Sequence, residues 1–371
     1  MKWIVTSDLH IHPSRICSRD NGADRMQDGL DVLQATLNLA LEHEAWWVCL
    51  GDLKTPKLVW VQAALAGIIE RFDMYETVPK LIVAGNHDGV TALAPFAARK
   101  DCVSCFATGM ATLKNSKVTV AVVPGTERIE DALLFLRDAS DRGAEILLGH
   151  ALVAGAKLGP DEFQGPGTPF DEIRSLFRFT LLGDVHKGQW FRSTGKPPHG
   201  IRWRWVPWSE RAPVNEPIMP GSVLYPGSPY QQSWGEREDE PKGALLVDLD
   251  KLTVTLLPLE GFPRFIRIDW PREPLISDAV AANNFVEIIP TKPVDADAFE
   301  DIKLVARWCS VVPFTPVETV ARTDREFHAG LSMRALLANY CAMRPGPPDV
   351  KPSVLLDAGI RLAETEKVPG Q

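Results

Sequence analysis

The first part of the chain alternates short apolar runs with stretches of helical periodicity. The apolar runs that are typical of buried strands are residues 3–5, 46–50, 81–83, 118–123, 146–148 and 179–182. After the first run, apolar residues recur at helical spacing at Met26, Leu30, Leu33, Leu37 and Leu41, and a second helical pattern covers residues 59–69. This alternation predicts an α/β fold whose sheets are covered by helices.

A polar cluster follows five of these apolar runs. The clusters are Asp8-Leu9-His10, Gly51-Asp52, Gly85-Asn86-His87-Asp88, Gly149-His150 and Gly183-Asp184-Val185-His186. Functional side chains of α/β folds gather at the carboxyl ends of strands, where glycine lets the backbone approach a ligand closely. Each cluster alone is also typical of a turn, a cap or a packed histidine. All five together, each at a strand end, predict one shared metal site.

The clusters offer carboxylate, imidazole and carboxamide groups, and no thiolate. This mixture of nitrogen and oxygen ligands suits manganese, iron or zinc better than magnesium alone. Two ions about 3.5–4 Å apart would hold a phosphodiester and activate a bridging water. The ligand set therefore indicates a hydrolase of phosphoesters that uses two divalent ions.

The set D-x-H, GD, GNHD, GH and G-x-x-H resembles the calcineurin-like metallophosphoesterase superfamily over residues 1 to about 260. The resemblance implies a four-layer α/β/β/α sandwich with two metals at one sheet edge. It implies that the first ion is bound by Asp8, His10 and His186, that Asp52 bridges both ions, and that the second ion is bound by Asn86, His150 and Asp184. It also implies that His87 protonates the leaving oxygen or stabilises the transition-state charge. Asp88 would orient His87 or a neighbouring loop, or would be a solvated turn residue.

Three further segments resemble the SbcD-type nuclease branch, especially its bacteriophage recombination-endonuclease members. They are residues 183–189, 225–236 and 242–248. This resemblance implies a manganese-dependent DNA nuclease subunit of an SbcCD-type complex. The sequence departs from the branch at Asp184, where histidine is usual, and at Leu53-Lys54-Thr55-Pro56, where a further histidine or aspartate is usual. These departures bear on metal preference and on the details of the mechanism.

Aromatic and basic residues lie close together in the chain after the last cluster. They are Lys187, Trp190, Phe191, Arg192, Arg202, Trp203, Arg204, Trp205, Trp208 and Arg211. Arginine interleaved with aromatic rings can contact phosphates and stack on nucleic-acid bases. The same pattern is typical of a tryptophan-rich sandwich edge covered by arginine stems. Both interpretations stay open from the sequence.

We expect a nuclease domain at residues 1–262, a small α+β capping domain at 263–328 and a helical tail at 329–371. The tail contains helical patterns at 331–343 and 353–366 on either side of a proline-rich stretch. Its apolar face can dock into a partner or pack on its own domain. The resemblance implies that it binds an SbcC-like ABC-type ATPase, and that the chain forms a homodimer through helices near 20–42 and 57–72.

The net charge of −8 argues against a protein that holds DNA by bulk charge alone, although bound cations would add local positive charge. No apolar run is long enough for a membrane span, and the first motif leaves no room for an export signal, so a cytoplasmic enzyme is expected. Cys102 and Cys105 form a C-x-x-C pair, for which reduced thiols are expected rather than structural zinc.

Two alternatives to a DNA nuclease stay open from the sequence. One is a phosphoesterase of nucleotides, cyclic nucleotides or phosphoproteins. The other is a non-enzymatic scaffold, in which some of the metal ligands would be expected to be lost.

Overall fold

The computed structural model describes residues 1–312 apart from 15–16, 19–22, 56–60, 89–92, 114–117, 126, 159–160, 163–169, 195–201, 238–240, 271–280 and 294–298. The described elements belong to one compact unit, Met1–Phe314. The helices that the sequence predicts at 331–343 and 353–366 lie outside the described residues. The tail at 329–371 and the domain boundaries therefore remain predictions.

Within the described residues, the strands follow one another in this order: β1 (Lys2–Thr6), β2 (Trp46–Cys49), β3 (Lys80–Val83), β4 (Cys102–Cys105), β5 (Gly109–Thr112), β6 (Thr119–Val123), β7 (Ile146–His150), β8 (Lys157–Leu158), β9 (Asp161–Glu162), β10 (Phe179–Gly183), β11 (Gln189–Thr194), β12 (Arg202–Pro207), β13 (Glu216–Pro217), β14 (Ser222–Tyr225), β15 (Gly243–Asp248), β16 (Thr253–Pro258), β17 (Phe265–Trp270), β18 (Phe285–Pro290) and β19 (Trp308–Val311). The helices are α1 (Ala23–Glu42), α2 (Gln62–Met74), α3 (Ala94–Ala97), α4 (Leu133–Asp141), α5 (Phe170–Leu176) and α6 (Glu300–Val305).

Two seven-stranded sheets form the centre of the molecule. The first sheet has the order β13-β16-β15-β1-β2-β3-β4, and the second has the order β12-β11-β14-β10-β7-β6-β5. The strands β1, β2, β3 and β4 are parallel, as are β6, β7, β10 and β14. Antiparallel strands extend the first sheet beyond β1 and the second sheet on both sides of its parallel block. The parallel blocks matter for function because the polar clusters lie at the carboxyl ends of five of their strands, β1, β2, β3, β7 and β10.

Three apolar layers hold the two sheets and their helices together, because alternate residues of a strand face opposite sides of a sheet. On the outer face of the first sheet, Ile4 and Trp47 pack with Leu37 of α1 and Phe72 of α2. The residues that alternate with these along the same strands, such as Trp3, Val5 and Val48, face the second sheet and fill the space between the two sheets. The outer face of the second sheet is covered by α4 and α5. The predicted four-layer α/β/β/α sandwich is therefore confirmed.

A small third sheet follows the sandwich, with the order β17-β18-β19 and all three strands parallel. The helix α6 lies between β18 and β19 and packs against their apolar face through Ile302. Phe265 and Phe285 of this sheet pack against Trp234 of the preceding segment. Arg307 bonds Asp28 of α1 at 2.6 Å, so the small sheet contacts the first helix of the sandwich.

Most of the predicted elements are present, with shifted boundaries. The helix predicted at 59–69 is described from Gln62 to Met74. In the region where a small α+β domain is predicted, α6 extends to Val305 and the next strand begins at Trp308, so the apolar stretch 305–312 is divided between a helix and a strand. A short apolar run does not by itself distinguish the end of a helix from a buried strand. None of the described helices is long and apolar enough to cross a membrane.

The C-x-x-C pair lies on β4, where its two cysteines face opposite sides of the first sheet. Cys102 belongs to the apolar layer under the helices, whereas Cys105 packs against the layer between the sheets. Residues three apart on a strand point in opposite directions, so one metal ion cannot take both thiols as ligands in this geometry. Burial raises the pKa of each thiol to about 11, which keeps it protonated at neutral pH.

Lys80 is a fully buried cation at the start of β3. Its Nζ donates to the carbonyl oxygens of Tyr75 at 2.7 Å and Val78 at 2.8 Å, and to Asp101 Oδ2 at 2.6 Å. Burial lowers the pKa of Lys80, and the hydrogen bond to Asp101 opposes this effect. A buried charge is tolerated only when it is fully paired, as it is here. The contact fixes the turn that precedes β3.

Replacing Lys80 by methionine should lower the free energy of unfolding by about 3 kcal/mol, because the carbonyl groups of Tyr75 and Val78 lose their Lys80 donor and Asp101 keeps only Arg99 as a charged partner. Urea unfolding of the metal-free protein measures the change. Lys100→Met is the matched control, since Lys100 is an exposed lysine close by in the chain. It should change stability by no more than about 0.5 kcal/mol. Equal effects of the two substitutions would contradict the structural role given to Lys80.

Candidate metal centre

The five polar clusters meet where the carboxyl ends of the two parallel strand blocks face each other. The clusters after β1, β2 and β3 come from neighbouring strands of the first sheet. His150 ends β7 and Asp184 follows β10, and these strands are neighbours in the second sheet. Each sheet therefore supplies one side of the site. This arrangement agrees with the rule that functional groups gather at carboxyl strand ends.

Four of the predicted ligands have a left-handed backbone conformation, which non-glycine residues rarely adopt. The φ angles are 55° at Asp8, 46° at His10, 53° at Asp52 and 86° at Asp184. Such conformations cost free energy and persist where the surrounding structure enforces them, often at functional sites. Here they turn the side chains back over the strand ends, so that the side chains converge.

Backbone hydrogen bonds lock the first two ligand loops together. Asp8 N donates to Gly51 O at 3.0 Å, and His10 N donates to Asp52 O at 2.9 Å. Gly85 lies so close to this pair of loops that a Cβ atom there would overlap the backbone nitrogen and the carboxylate of Asp52. Glycine at position 85 is therefore required by close approach rather than by its φ angle.

The first group of ligand atoms comes from Asp8, His10 and His186. His10 Nε2 lies 3.2 Å from His186 Nε2 and 3.9 Å from Asp8 Oδ1, and His186 Nε2 lies 3.8 Å from Asp8 Oδ1. Two imidazole nitrogens facing each other at this distance repel unless a cation or a proton lies between them. The structure thus brings together the three residues that the sequence predicts for the first ion.

The second group surrounds His150, and its predicted members also lie together. His150 Nε2 lies 3.5 Å from Asp52 Oδ2 and 3.6 Å from Asp184 Oδ1. The Asn86 amide is 3.1 Å from Asp184 Oδ1. Asp52 Oδ2 is also 3.6 Å from His10 Nε2, so this oxygen lies between the two groups, where a bridging ligand would have to be. The bridging role itself remains a prediction.

The residues fit a cation because several buried polar atoms that point into the site have no hydrogen-bond partner. These atoms are Asp8 Oδ1, Asn86 Oδ1 and His150 Nε2. Buried polar atoms are almost always paired, and an unpaired one needs an explanation such as a bound ion. All three atoms are competent donors of electron pairs to manganese, iron or zinc. Three unpaired ligand atoms at one place therefore indicate a metal centre.

Each histidine of the two groups has its Nδ1 atom occupied by a partner. His150 Nδ1 is 2.6 Å from the carbonyl oxygen of Leu50, His186 Nδ1 is 3.0 Å from Glu236 Oε1, and His10 Nδ1 contacts the hydroxyl of Thr55. A hydrogen on Nδ1 leaves the lone pair on Nε2, which is the atom that faces the site. Tying one nitrogen in this way is how proteins orient metal-binding imidazoles.

The electrostatics of the site favour positive charge at its centre. Burial alone would lower the pKa of His150, but the Asp52 carboxylate 3.5 Å from its Nε2 and the charges of Asp8 and Asp184 raise it to about 10. Burial alone would raise the pKa of Asp52, but its contacts with His150 lower it to about 2. A set of buried carboxylates that holds a proton on an imidazole this strongly would also hold a divalent cation.

His87 lies beside the ligand groups and is more exposed than most of their members. Its Nε2 is 3.9 Å from Asp52 Oδ2, and its side chain is 34% exposed. Its ring stands edge-on to the His10 ring, with 5.2 Å between the centroids. The backbone N–H of His87 donates to Asp52 Oδ1 at 2.8 Å, and its carbonyl accepts from Lys54 Nζ at 3.0 Å. The ring is thus held at the rim of the site without belonging to either ligand group.

Asp88 is buried, so its interpretation as a solvated turn residue is wrong. Its carboxylate accepts hydrogen bonds from Gly85 N at 2.7 Å and from Lys54 N at 3.3 Å. Burial raises its pKa to about 6, against the effect of the bond from Gly85. Asp88 therefore joins the loop that carries His87 to the loop that carries Asp52, as the alternative of a loop-orienting residue predicted.

A cleft of about 280 Å³ opens beside the site and shows residues that the sequence did not single out. His10, His87 and His186 line it together with His12, Ser14, Arg25, Thr55, Tyr230, Gln232, Ser233 and Glu236. His12 Nδ1 is 2.8 Å from the carbonyl oxygen of His10. The only sequence signal for Glu236 was the resemblance of residues 225–236, which gave no role to any single residue.

The aromatic and basic cluster forms the edge hairpin β11–β12 of the second sheet, and its rings are packed. Trp190 and Trp208 are buried against each other, and the Phe191 and Trp203 rings are stacked. The Arg192 guanidinium lies 4.0 Å from the centroid of the Trp190 ring. The arginines of this hairpin also pair with Glu210 and Glu216. These contacts match a sandwich edge covered by arginine stems and give no support to base stacking.

Replacing Gly85 by alanine should lower manganese affinity by about tenfold or more, because the added Cβ displaces the Asp52 loop. The clash should also lower the free energy of unfolding by about 1–3 kcal/mol. Calorimetric titration with manganese and urea unfolding of the metal-free protein measure the two effects. In the control Gly109→Ala, the nearest atom to the new Cβ is Ala107 O at 3.8 Å. Manganese affinity that is unchanged in Gly85→Ala would contradict this description of the site.

Comparison with known proteins gives one family. Residues 1–167 match the sequence model of the calcineurin-like phosphoesterase family. No curated protein matches the sequence.

Among solved structures, a novel archaeal phosphodiesterase matches at 12% identity, with coverage of 70% of this chain and 100% of that chain and a TM-score of 0.35. The protein TT1561 of Thermus thermophilus matches at 16% identity, with 69% and 98% coverage and a TM-score of 0.40. A 5'-nucleotidase precursor from the same organism matches at 15% identity, with 70% and 54% coverage and a TM-score of 0.35. Similarity at this level indicates nothing about the substrate of this chain.

The family match covers the clusters after β1, β2, β3 and β7, and the structure adds Asp184 and His186 after β10. The two sheets, their helical layers and the two ligand groups agree with that match. Over residues 1–167, the chain is therefore similar to the calcineurin-like phosphoesterase family, and the described ligand groups form a candidate metal centre consistent with that similarity.

Proposed function

We propose that this protein is a two-metal DNA nuclease, and that it acts as the nuclease subunit of an SbcCD-type complex. One observation carries the proposal beyond the superfamily. The segment 225–236, which resembles SbcD-type nucleases, is built into the metal centre. Glu236 bonds His186, Tyr230 donates to the Leu9 carbonyl at 3.1 Å, and Gln232 donates to the Asp8 carbonyl.

Different residues of the site would bind the metal ions and orient the metal-binding groups during phosphodiester hydrolysis. When bound, a pair of divalent ions supplies Lewis acidity and lowers the pKa of a water. Asp8, His10 and His186 would hold one ion, and Asn86, His150 and Asp184 the other, with Asp52 between them. Each imidazole is oriented before substrate arrives, since its Nδ1 is already bonded. Such preorganisation lets the site stabilise the transition state without reorganising.

His87 is proposed to donate a proton to the oxygen that leaves the phosphorus. It fits this role because its ring lines the cleft, lies near Asp52 and is outside the ligand groups. Its position is fixed from the backbone side by Asp52 and Lys54. A positioned general acid contributes about 10²–10⁴-fold to the rate.

The shape and charge of the cleft support a chain-like phosphodiester substrate. The cleft is open, and its volume of about 280 Å³ is smaller than most pockets that enclose a small ligand. Arg25 lines it, and the guanidinium lies 4.6 Å from the centroid of the Phe285 ring in the small sheet. A strand of DNA could cross the cleft and continue beyond it, whereas a nucleotide would be held on few sides.

The metal and the partners follow from the same proposal. Manganese suits a site of imidazole, carboxylate and carboxamide ligands. The net charge of −8 and the paired arginines of β11–β12 leave much of the DNA binding to another surface. An SbcC-like ATPase bound to the tail at 329–371 would supply that surface. Homodimer formation through the helices near 20–42 and 57–72 belongs to this proposal as well.

The proposal predicts manganese-dependent cleavage of DNA by the purified chain. Labelled linear duplex DNA, single-stranded DNA, nucleoside monophosphates and cyclic nucleotides are incubated with manganese, magnesium or a chelator. Cleavage of DNA with manganese and its loss with the chelator would support the nuclease. Brisk hydrolysis of nucleotides with no cleavage of DNA, also in the presence of an SbcC-like ATPase, would contradict it and would favour the nucleotide phosphoesterase.

Substitutions separate metal binding from proton donation. Asp52→Ala should abolish cleavage of every substrate, because both ligand groups lose a shared carboxylate. His87→Ala should still bind manganese but should cleave DNA about 10²–10⁴-fold more slowly. Its defect should be much smaller on a p-nitrophenyl phosphodiester, since that leaving group needs no proton. His43→Ala is the control, because His43 belongs to neither ligand group and does not line the cleft. An equal defect of His87→Ala on both substrates would contradict the acid role.

A further inference from the structure

We propose that Glu236 is a positioning residue that sets the strength of His186 as a metal ligand, and that it makes the two ligand groups unequal. The inference deepens the proposed function and rests on its metal site. Glu236 lies 50 residues after His186 in the chain and belongs to a short 3₁₀ helix, Trp234–Glu236. It contacts no other predicted ligand in a hydrogen bond that the structure shows.

The two carboxylate oxygens of Glu236 have different hydrogen-bond partners. Oε1 accepts the Nδ1 hydrogen of His186 at 3.0 Å, which leaves the Nε2 lone pair facing Asp8 and His10. Oε2 accepts from Lys242 Nζ at 2.8 Å and from Ser228 Oγ at 2.7 Å. Glu236 is buried, so rotation of its carboxylate would break these bonds without replacing them by water.

The same cluster holds the backbone of His186 as well as its ring. Lys242 Nζ donates to the His186 carbonyl at 2.9 Å, and Ser228 N donates to that carbonyl at 3.0 Å. Both the ring orientation and the chain position of the ligand are therefore determined by Ser228, Glu236 and Lys242. The ring cannot turn about its axis without losing the bond to Glu236.

Lys242 keeps Glu236 in its charged form. The Lys242 ammonium lies 2.8 Å from Oε2 of Glu236, and this buried ion pair stabilises the carboxylate against the cost of its burial. A charged acceptor makes a stronger hydrogen bond than a neutral one. It also increases the electron density on the imidazole and thus the basicity of Nε2 towards a metal.

The other two histidines have neutral partners at Nδ1. His150 faces the Leu50 carbonyl, and His10 faces the Thr55 hydroxyl. Only His186, among these three ligands, is paired with a carboxylate through Nδ1. The group formed by Asp8, His10 and His186 should therefore bind its ion more tightly than it would with a neutral partner, and the group around His150 should be unaffected. Carboxylate partners of this kind change metal affinity by about 10–100-fold.

Calorimetric titration of the metal-free protein with manganese tests the inference. Wild type should show two binding events. Glu236→Gln keeps the size of the side chain and removes its charge, and it should weaken one of the two events by about 10–100-fold while the other stays unchanged. Glu300→Gln is the control, because Glu300 forms an exposed ion pair with Lys303 on α6, at 2.7 Å. It should leave both events as they are in wild type.

Ser228→Ala is the second variant, since it removes one bond to Glu236 and one to Lys242 but keeps the ion pair between Lys242 and Glu236. It should weaken the same event by about threefold. Thermal unfolding of the metal-free variants shows whether each one is folded. If Glu236→Gln does not fold, the selective effect of Ser228→Ala decides.

Unchanged affinity in both variants, or equal weakening of both binding events, would overturn the proposed role of Glu236. The readout is metal binding and not DNA cleavage. Selective weakening together with a wild type that cleaves no DNA would therefore support the role of Glu236 and count against the nuclease alone.

Discussion

Three carboxylates lie where the two sheets meet, and much of the local structure can be understood as a response to their charge. Asp8 and Asp52 are almost completely buried, and Asp184 is partly exposed. Backbone N–H groups and the imidazoles of His10, His150 and His186 surround them, and the buried Lys54 lies near Asp52. Protein donors alone leave three ligand atoms unpaired. A site that concentrates negative charge and still has unpaired ligand atoms is suited to cations, and this property defines the enzyme.

Local patterns in the sequence were sufficient to predict an α/β core and five polar clusters at its strand ends, whereas the four-layer sandwich and the role of each ligand came from the family resemblance. A buried strand is a short apolar run, and a ligand cluster follows directly where that run ends. The elements β1, β2, β3, β7 and β10 could therefore be placed with their ligands. The partners of those ligands could not be placed, since they are distant in the chain. Thr55 lies 45 residues from His10, and Glu236 lies 50 residues from His186. The left-handed conformations of the ligands likewise have no signal in residue type, apart from the tolerance of aspartate.

Two sequence patterns, the alternating arginines and tryptophans and the C-x-x-C pair, could be interpreted only once the structure showed which way their side chains point. Arginines that alternate with tryptophans suggested nucleic-acid binding as much as a packed edge, and the pairing of β11 with β12 favours the packed edge. The C-x-x-C pair was resolved by strand geometry, because Cys102 and Cys105 face different layers. In both cases the residue types were visible, but the direction of each side chain was not. The proposal that DNA is the substrate rests on the segment 225–236, which places Glu236 beside His186.

The most direct test of the central claim is an anomalous diffraction map at the manganese edge, from crystals of this protein grown with manganese. The account predicts two peaks about 3.5–4 Å apart. One should contact Asp8, His10 and His186, the other Asn86, His150 and Asp184, and Asp52 should touch both. A single peak, a peak elsewhere in the molecule, or no peak at a manganese concentration that supports hydrolysis would contradict the two-metal site.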